Sequence, residues 1–353
     1  MATAVHAETV SPALVWDTLL AFQRTAALRA AIELNLFGAI GEGADDVASL
    51  ARRCSASERG IRILSDYLTI IGLLSKKNGR YSHTPTSAAF LDPRSPACMA
   101  SIARFTGNVT MSEPCLQLAE IVRSGTTVLP GDGAVEPENP VWVEFAHSMV
   151  PMIAPVTAPF AAIALDGLSG PVRVLDIAAG HGLFGIAAAK QNLQAHIVAL
   201  DWAAVLDVAK ANARKAGIED RYETLPGSAF DVDYQGPYDV SLLTNFLHHF
   251  DPPTCVTILR KVRSSLKPGG RVAILEFVPS EDRVSPPTPA AFSLIMLTTT
   301  ASGDVYTLKE LEAMCREAGF ERVTEHSLPA SPQTAVVGYA PLGPQLGSDK
   351  SRE

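Results

Sequence analysis

Apolar residues in the first hundred positions recur at three- and four-residue steps, the spacing of one face of an α-helix. The residues with this spacing in the first predicted helix are Leu19, Phe22, Ala26, Ala30 and Leu34. A second helix is expected over residues 47–53, after a glycine-containing break at 41–43. The N-terminal part of the chain is therefore predicted to be mainly helical.

A third helix is predicted from Ser55-Ala-Ser-Glu58, which has the pattern of an N-terminal capping box. Its apolar positions lie on one face and are Ile61, Leu64, Leu68 and Ile71. Residues 73–84 then predict a hairpin around a polar turn at 76–79. Helices followed by a hairpin are the element order of a winged helix.

A winged helix usually suggests DNA binding, but the charges argue against that role. The third helix carries a mixed set of charges: Glu58, Arg59, Arg62 and Asp66. The net charge of −8 also disfavours a broad nucleic-acid-binding face. We therefore expect a packing or dimerisation module.

From residue 171 the pattern changes to strands that alternate with helices, after a helical stretch broken by a Pro- and Gly-rich loop at 126–140. The predicted strands are 172–177, 196–200, 238–244, 271–278, 321–328 and 334–340, and helices are expected at 183–190, 205–216, after Asp251 and after Thr307. This alternation predicts an α/β domain with a parallel, doubly wound sheet, in which ligands bind at the carboxyl ends of the strands.

The first of these strands leads into a loop with the spacing Gly180-x-Gly182-x-x-Gly185, which is typical of dinucleotide sites. Asp176 stands just before the loop, however, and a pyrophosphate needs backbone N–H groups without a nearby anion. S-adenosylmethionine has no phosphate and carries an ammonium and a sulfonium, so it suits this carboxylate. Asp201, at the end of the second strand, can accept both ribose hydroxyls in either cofactor.

Composition limits the class of protein further. The chain has 353 residues, 47% of them hydrophobic and 19% charged, which suggests a globular protein of two domains. Its five cysteines are scattered and lack C-x-x-C spacing, so we expect reduced thiols with neither disulfides nor a metal site. No segment resembles a signal peptide or a membrane span, and a cytoplasmic location without a membrane partner is expected.

Several short motifs then follow one another in an order that identifies a family. They are Val174–Gly182, Asp201, Gly227–Phe230, Asn245–Asp251, Leu266–Gly270 and Leu275-Glu276. In this order they resemble the class I methyltransferases. More narrowly they are similar to the O-methyltransferase family that includes plant caffeate and acetylserotonin enzymes and bacterial polyketide and carotenoid enzymes. Residues 31–37 and 72–74 resemble that family's dimerisation domain.

The resemblance covers roughly residues 15 to 340 and implies a complete architecture. It implies a doubly wound, seven-stranded Rossmann-like methyltransferase domain at 171–342, preceded by a mainly helical winged-helix dimerisation domain at 10–100. A helical linker at 101–170 would contribute to the substrate pocket, and 343–353 would be a disordered tail. The family also implies S-adenosylmethionine as cofactor, a small-molecule acceptor, a homodimer, and no nucleic-acid binding.

The family's motifs also assign roles to particular residues. His248 matches the catalytic histidine, and Glu276 matches the acid that orients it. The cofactor-binding residues expected at the strand ends are Asp176, Ala178, Gly180, Gly182, Asp201, Trp202, Ser228, Ala229, Phe230 and Asn245. The expected substrate pocket is mainly apolar and consists of Phe105, Phe145, Met149, Met152, His249, Phe292, Met296 and Tyr306.

Four departures from the family pattern bear on these assignments. Val305 stands where a second catalytic acid is common, Ser228 replaces the acid after the third strand, and His249 replaces an aspartate. Ala178 stands in the glycine loop, where we expect only Gly180 and Gly182 to need a left-handed backbone.

Methylation of an oxygen on a small aromatic or lipophilic metabolite is the function these features favour. A sulfur or carbon acceptor stays open because Val305 removes one expected acid, and a thiol ionises more easily than a phenol. Two remoter alternatives are an NAD-dependent oxidoreductase and a ligand-sensing winged-helix protein.

Overall fold

The computed structural model of the chain describes residues 10–329 and 331–343. The predicted tail, apart from Gly343, lies outside the described residues. The chain divides into two compact units, the first ending at Ala103 and the second beginning at Arg104. Most of the expected linker therefore groups with the second unit, and the domain boundaries themselves stay a prediction.

The first unit consists of helices followed by a two-stranded antiparallel hairpin. Its elements are α1 (Ala13–Leu19), α2 (Ala21–Glu33), α3 (Leu36–Gly41), α4 (Val47–Arg53), α5 (Glu58–Ile70), β1 (Leu74–Lys77), β2 (Arg80–His83) and α6 (Pro85–Phe90). A continuous core lies beneath these helices and includes Leu36, Phe37, Leu50, Ile61, Leu68 and Tyr81. The order of helices and hairpin agrees with the sequence prediction.

Two details of the first unit differ from the predictions. The predicted first helix is divided at Leu20 into α1 and α2. The predicted capping box at the start of α5 is wrong, because the N-cap is Ser57, whose hydroxyl accepts the Gly60 N–H. Ser55 cannot act there because its φ of 51° lies in the left-handed region that follows the end of α4.

The second unit begins with short helices and continues into the alternating pattern. Helix α7 (Ile102–Thr106) contains the boundary between the units. The helices that follow are α8 (Val109–Ser112), α9 (Leu118–Ser124), α10 (Val141–Ser148), α11 (Val150–Ala164), α12 (Leu183–Gln191), α13 (Ala203–Lys215), α14 (Pro252–Ser264), α15 (Pro287–Thr299) and α16 (Leu308–Glu317). Among the described residues no single helix is long and apolar enough to cross a membrane. Only α10 and α11 counted together, across a bend of 71°, meet those criteria.

One seven-stranded sheet organises this unit. Its strands are β3 (Val172–Ile177), β4 (Ala195–Asp201), β5 (Tyr222–Pro226), β6 (Tyr238–Thr244), β7 (Leu266–Glu276), β8 (Arg322–Ser327) and β9 (Thr334–Tyr339). Their order is β5-β4-β3-β6-β7-β9-β8, which confirms the doubly wound arrangement. The expectation of a wholly parallel sheet is wrong, because β9 runs antiparallel to both β7 and β8.

Strand β7 also begins five residues earlier than expected, at Leu266. The strand was predicted to begin at residue 271, but residues 267–270 already belong to β7, and the register with β6 shifts between Tyr238 and Val240. Helix caps agree better with the sequence: Asp251 caps α14, and Thr307 with Glu310 forms a capping box on α16. The carboxyl ends of β3, β4, β6 and β7 lie at one edge, where Ile177, Asp201, Thr244 and Glu276 end the strands.

Candidate active site

The glycine loop between β3 and α12 is a tight turn with three left-handed residues. Ala178, Gly180 and Gly182 have φ values of 52°, 57° and 74°. The expectation that only the two glycines need this backbone is therefore wrong. The Ala179 N–H donates to the Leu200 carbonyl at 3.1 Å, which ties the turn to β4. This strand contact holds the loop in a turn that alanine adopts at a cost of about 1 kcal/mol.

Two carboxylates flank this loop and are both bonded to it. Asp176 is fully buried, and its Oδ2 accepts the Gly185 N–H at 2.9 Å. Asp201 accepts the Gly180 N–H at 2.8 Å and the Trp202 N–H at 2.7 Å. Burial raises the pKa of Asp176 to about 7, with the charge of Asp201 adding to the effect. Burial also raises the pKa of Asp201 to about 6, against the two N–H donors.

This electrostatic setting bears on the kind of cofactor the loop can hold. Two desolvated carboxyl groups beside the loop oppose a pyrophosphate and favour a group with positive charge. The Oδ1 atom of Asp176 is buried and has no hydrogen-bond partner among the described residues. The residues present therefore fit a cationic cofactor without phosphate.

The segment after β5, predicted to bind the cofactor, is held by residues that sequence reasoning missed. The Ser228 hydroxyl accepts the Phe230 N–H at 3.1 Å. The Lys261 ammonium, from α14, donates to the carbonyls of Ala229 and Phe230 at 3.1 and 2.6 Å. The Tyr234 hydroxyl donates to the Ala229 carbonyl as well, at 2.7 Å. These donors fix the segment from the side of α14.

The remaining predicted cofactor residues lie at the same edge of the sheet. Asn245 follows β6 with a φ of 53°, and its side-chain oxygen accepts from the amide of Gln333. Trp202 is the N-cap residue of α13 and packs in a cluster with Trp142 and Ala146 of α10. Neither Gln333 nor Trp142 carried a motif that could have identified it.

His248 and Glu276 form the pair that the sequence predicted. Nδ1 of His248 lies 2.6 Å from Oε2 of Glu276, and both side chains are buried. The other oxygen of Glu276 accepts the N–H groups of Phe246 and Leu247 at 3.1 and 2.9 Å. Because a carboxylate only accepts, the proton of the neutral imidazole lies on Nδ1 and the lone pair lies on Nε2. This arrangement holds the imidazole of His248 in one tautomer and one orientation.

His249 lies beside the pair and has a different environment. The two imidazole centroids are 4.3 Å apart, and the His249 ring meets Trp142 edge-on at 5.2 Å. Nδ1 of His249 donates to the Phe246 carbonyl at 3.2 Å. Burial, and then the neighbouring His248, hold the pKa of His249 well below its usual range. His249 is therefore a neutral imidazole at neutral pH.

Aromatic residues surround these histidines. Phe292 meets the His248 ring edge-on at 5.1 Å and stacks on Phe277 at 4.1 Å. Phe145 contacts Phe105 at 5.2 Å and stacks on His181 of the glycine loop at 6.1 Å. The predicted pocket residues Phe292 and His249 thus lie against His248, while Phe145 lies against the glycine loop and Phe105 packs on Phe145. Phe277 and His181 were missed.

Other predicted pocket residues are placed differently. Met149 and Met296 are buried, whereas Met152 is about half-exposed at 47%. Tyr306 lies in the core that also contains β6 and α14 residues, and its hydroxyl donates to the Phe250 carbonyl. Roles for these residues in acceptor binding stay a prediction.

The strand order, the glycine loop and the acids at the carboxyl edge together define the fold of the class I methyltransferases. The model of the O-methyltransferase domain matches residues 153–321, and that of the O-methyltransferase dimerisation domain matches residues 16–93. A structure from Nostoc punctiforme assigned as an O-methyltransferase is 46% identical, with a TM-score of 0.89, over 94% of this chain and all of its own. The chain belongs to the O-methyltransferase family, whose members use S-adenosylmethionine, and this confirms the resemblance.

Two less similar proteins are also named as methyltransferases. The 3-hydroxy-5-methyl-1-naphthoate 3-O-methyltransferase of Streptomyces sahachiroi is 28% identical over 88% of this chain and 90% of its own. Human N-acetylserotonin methyltransferase, solved in complex with S-adenosylmethionine, shares the fold, with a TM-score of 0.82 and 23% identity over 96% of this chain and all of its own.

Proposed function

We propose that the chain methylates an oxygen of a small aromatic or lipophilic metabolite, with His248 as the general base. The observation that carries this proposal is the buried pair of His248 and Glu276, 2.6 Å apart. His248 takes the proton of the acceptor hydroxyl on Nε2, and Glu276 stabilises the imidazolium that forms. A phenol ionises near pH 10, so it gains much from such a base.

S-adenosylmethionine supplies, when bound, a methyl group already activated on a sulfonium. The glycine loop with Asp176 would face its positively charged part, and Asp201 would accept its ribose hydroxyls. The Ser228–Phe230 segment, held by Lys261, would contact adenine. The carboxyl groups on both sides of the loop speak against NAD, which would place a pyrophosphate there.

A sulfur or carbon acceptor remains the second candidate. Val305 is buried and apolar at 1% exposure, where the family often has a second acid. A single acid behind His248 supplies less support for the charge that forms on the base. An acceptor that ionises easily, or a nucleophilic carbon, requires less from the base.

The unit that precedes Arg104 supports a homodimer. Helices α1 and α2 expose a set of large apolar side chains: Leu14, Val15, Trp16, Leu19, Leu20 and Phe22. Exposed apolar surface of this extent marks an interaction site in a folded protein. The match to a dimerisation domain over residues 16–93 points to a second copy of the chain as the partner.

Methyl transfer with a labelled donor tests the chemistry directly. The full chain is incubated with S-[methyl-¹³C]adenosylmethionine and a panel of phenols, thiols and activated aromatic carbons, and products are read by carbon NMR. An O-methyl signal on a phenol is the expected result. A label found only on sulfur or carbon would support the second candidate, and no transfer to any acceptor class would reject both.

A further inference from the structure

His248 lies on a short 3₁₀ turn, Leu247–His249, that follows β6. Glu276 holds the amino side of this turn, because its Oε1 accepts the N–H groups of Phe246 and Leu247. The second oxygen of the same carboxylate contacts Nδ1 of His248. The orientation of the imidazole therefore depends on how firmly the backbone of the turn is held against Glu276.

The carboxyl side of the turn is held by two other side chains. The Tyr306 hydroxyl donates to the Phe250 carbonyl, and the Cys255 thiol donates to the Leu247 carbonyl at 3.2 Å. The thiol also lies 3.6 Å from the Phe250 carbonyl, but its one proton serves only one carbonyl at a time. Because Tyr306 pairs the Phe250 carbonyl, the thiol stays with the Leu247 carbonyl, and both backbone acceptors are satisfied together.

The segment before Tyr306 approaches the same turn with a glycine. The Gly303 N–H donates to the Thr300 hydroxyl at 2.9 Å, which ties the segment to the end of α15. A Cβ on Gly303 would overlap the carbonyl oxygen of His248 and lie 2.9 Å from the carbonyl carbon of His249. The φ of Gly303 lies outside the left-handed region, so the close approach, and not the backbone conformation, requires glycine here. Gly303 thus places its backbone directly against the peptide that follows His248.

Val305 lies between these two residues and is buried and apolar, where the family often has a second acid. An acid would support the imidazole directly through its charge, whereas Tyr306 and Gly303 act on it through the backbone of the turn. We propose that Tyr306 is a positioning residue, which together with Gly303 holds the turn against Glu276 so that His248 keeps one orientation toward the acceptor. The inference rests on the proposed function, in which His248 is the base.

Two matched tyrosine variants test the role of Tyr306 in turnover. Tyr306→Phe removes the hydroxyl and keeps the ring. Tyr238→Phe is the control, because Tyr238 is also buried and its hydroxyl donates to a backbone carbonyl, that of Tyr234, at 2.5 Å. Tyr238 begins β6, at the end of the strand opposite to the turn. With a phenolic acceptor and saturating S-adenosylmethionine, Tyr306→Phe should lower kcat about 10–100-fold, the effect of a small displacement of a reacting group, and the control should leave kcat unchanged.

The state of His248 can also be read without an acceptor. Two-bond ¹H–¹⁵N correlations on the full chain labelled with ¹⁵N-histidine give the shifts of both ring nitrogens, and His248→Gln assigns them. The wild type is expected to show the tautomer protonated on Nδ1. In Tyr306→Phe the two shifts should approach each other, because an imidazole that leaves Glu276 in part of the molecules can carry its proton on Nε2. Gly303→Ala should act in the same direction, and Tyr238→Phe should resemble the wild type.

Several outcomes would overturn the proposal. They are unchanged nitrogen shifts in Tyr306→Phe, an equal change in Tyr238→Phe, or a kcat of Tyr306→Phe at the wild-type level. Unchanged affinity for S-adenosylhomocysteine shows that each variant is folded. Because the shifts are read without turnover, they decide whether Tyr306 holds His248 even if no oxygen acceptor is found. Failure of the proposed O-methylation is decided separately, by the labelled-donor experiment.

Discussion

Asp176 forms a hydrogen bond to the glycine loop although its carboxyl group is fully buried. Its carboxyl group accepts one backbone N–H, while its other oxygen is buried without a partner among the described residues. Burial raises its pKa from 3.8 to about 7, so it binds a proton in the folded chain at pH values where the unfolded chain has lost it. The stability this provides is complete below about pH 4 and is lost as the pH rises through 7.

Replacement by asparagine should remove this pH dependence. Between pH 5 and pH 8, the free energy of unfolding of the wild type without cofactor should fall relative to Asp176→Asn by on the order of 2 kcal/mol. Asp201 is present in both proteins, so its own titration largely cancels. Urea denaturation at the two pH values measures the difference, and parallel pH dependence of the two proteins would contradict the assigned burial.

The positions of site residues that belong to a sequence motif could be predicted from the sequence. The residues that hold them by hydrogen bonds could not. The Gly loop, Asp201, His248 and Glu276 lie at the sheet edge where their order in the chain predicted them. Lys261 and Gln333 also act at this edge, but they are 31 and 88 residues from Phe230 and Asn245. Such contacts depend on how strands and helices pack, and a lysine on a helix indicates by itself only a solvent-exposed face.

In the glycine loop, Gly182 is constrained both by its backbone conformation and by the side chains packed around it. Gly182 has a φ of 74°, and a Cβ on it would overlap the hydroxyl of Tyr222 and lie 3.0 Å from the Cβ of Ala209. The Tyr222 hydroxyl is itself buried without a partner among the described residues. Glycine is thus required here both by φ and by the approach of β5.

A double-variant cycle should separate these two constraints. Gly182→Ala should cost about 2–3 kcal/mol in the wild type and about 1 kcal/mol in a Tyr222→Phe background, where only the left-handed backbone and Ala209 still oppose it. Tyr222→Phe alone should be neutral or slightly stabilising, because it removes an unpaired buried hydroxyl. Chemical denaturation of the four proteins gives the coupling. Equal costs in both backgrounds would show that the hydroxyl does not limit the site.

For the secondary-structure elements, the hydrophobic periodicity predicted whether a segment is a helix or a strand. It predicted the direction of a strand and the residue at which it begins less well. Most strands and helices after residue 171 alternate as expected, because their apolar periods are distinct, but the pattern did not predict β5 or α15. The antiparallel direction of β9 could not be read, since an apolar strand buried in a sheet has the same pattern in either direction. The start of β7 was misplaced because Lys-Pro-Gly-Gly is typical of a turn, and here it forms an irregular strand beginning.

The whole molecule is proposed to act as a dimer through its N-terminal helices. The double variant Trp16→Asp with Phe22→Asp places charges on two side chains that are 60% and 65% exposed. It should shift the chain from a dimer toward the single-chain mass of 37.4 kDa in light scattering at micromolar concentration. Leu193→Asp, at a 77% exposed leucine of the second unit, is the matched control and should leave the mass unchanged. A wild-type monomer, or a dimer in the double variant, would contradict this assignment.

The central claim for the whole molecule is that it transfers a methyl group to an oxygen that His248 deprotonates. The most direct test is the dependence of kcat on pH for the wild type and for His248→Gln, with a phenolic acceptor identified by the labelled-donor experiment. We expect the wild-type rate to rise with pH along a limb that the variant lacks, and the variant's kcat to be about 10²–10⁴-fold lower. S-adenosylmethionine affinity should stay nearly the same, because the glycine loop and Asp201 are untouched. A variant with a near-wild-type rate and an unchanged pH profile would contradict base catalysis by His248.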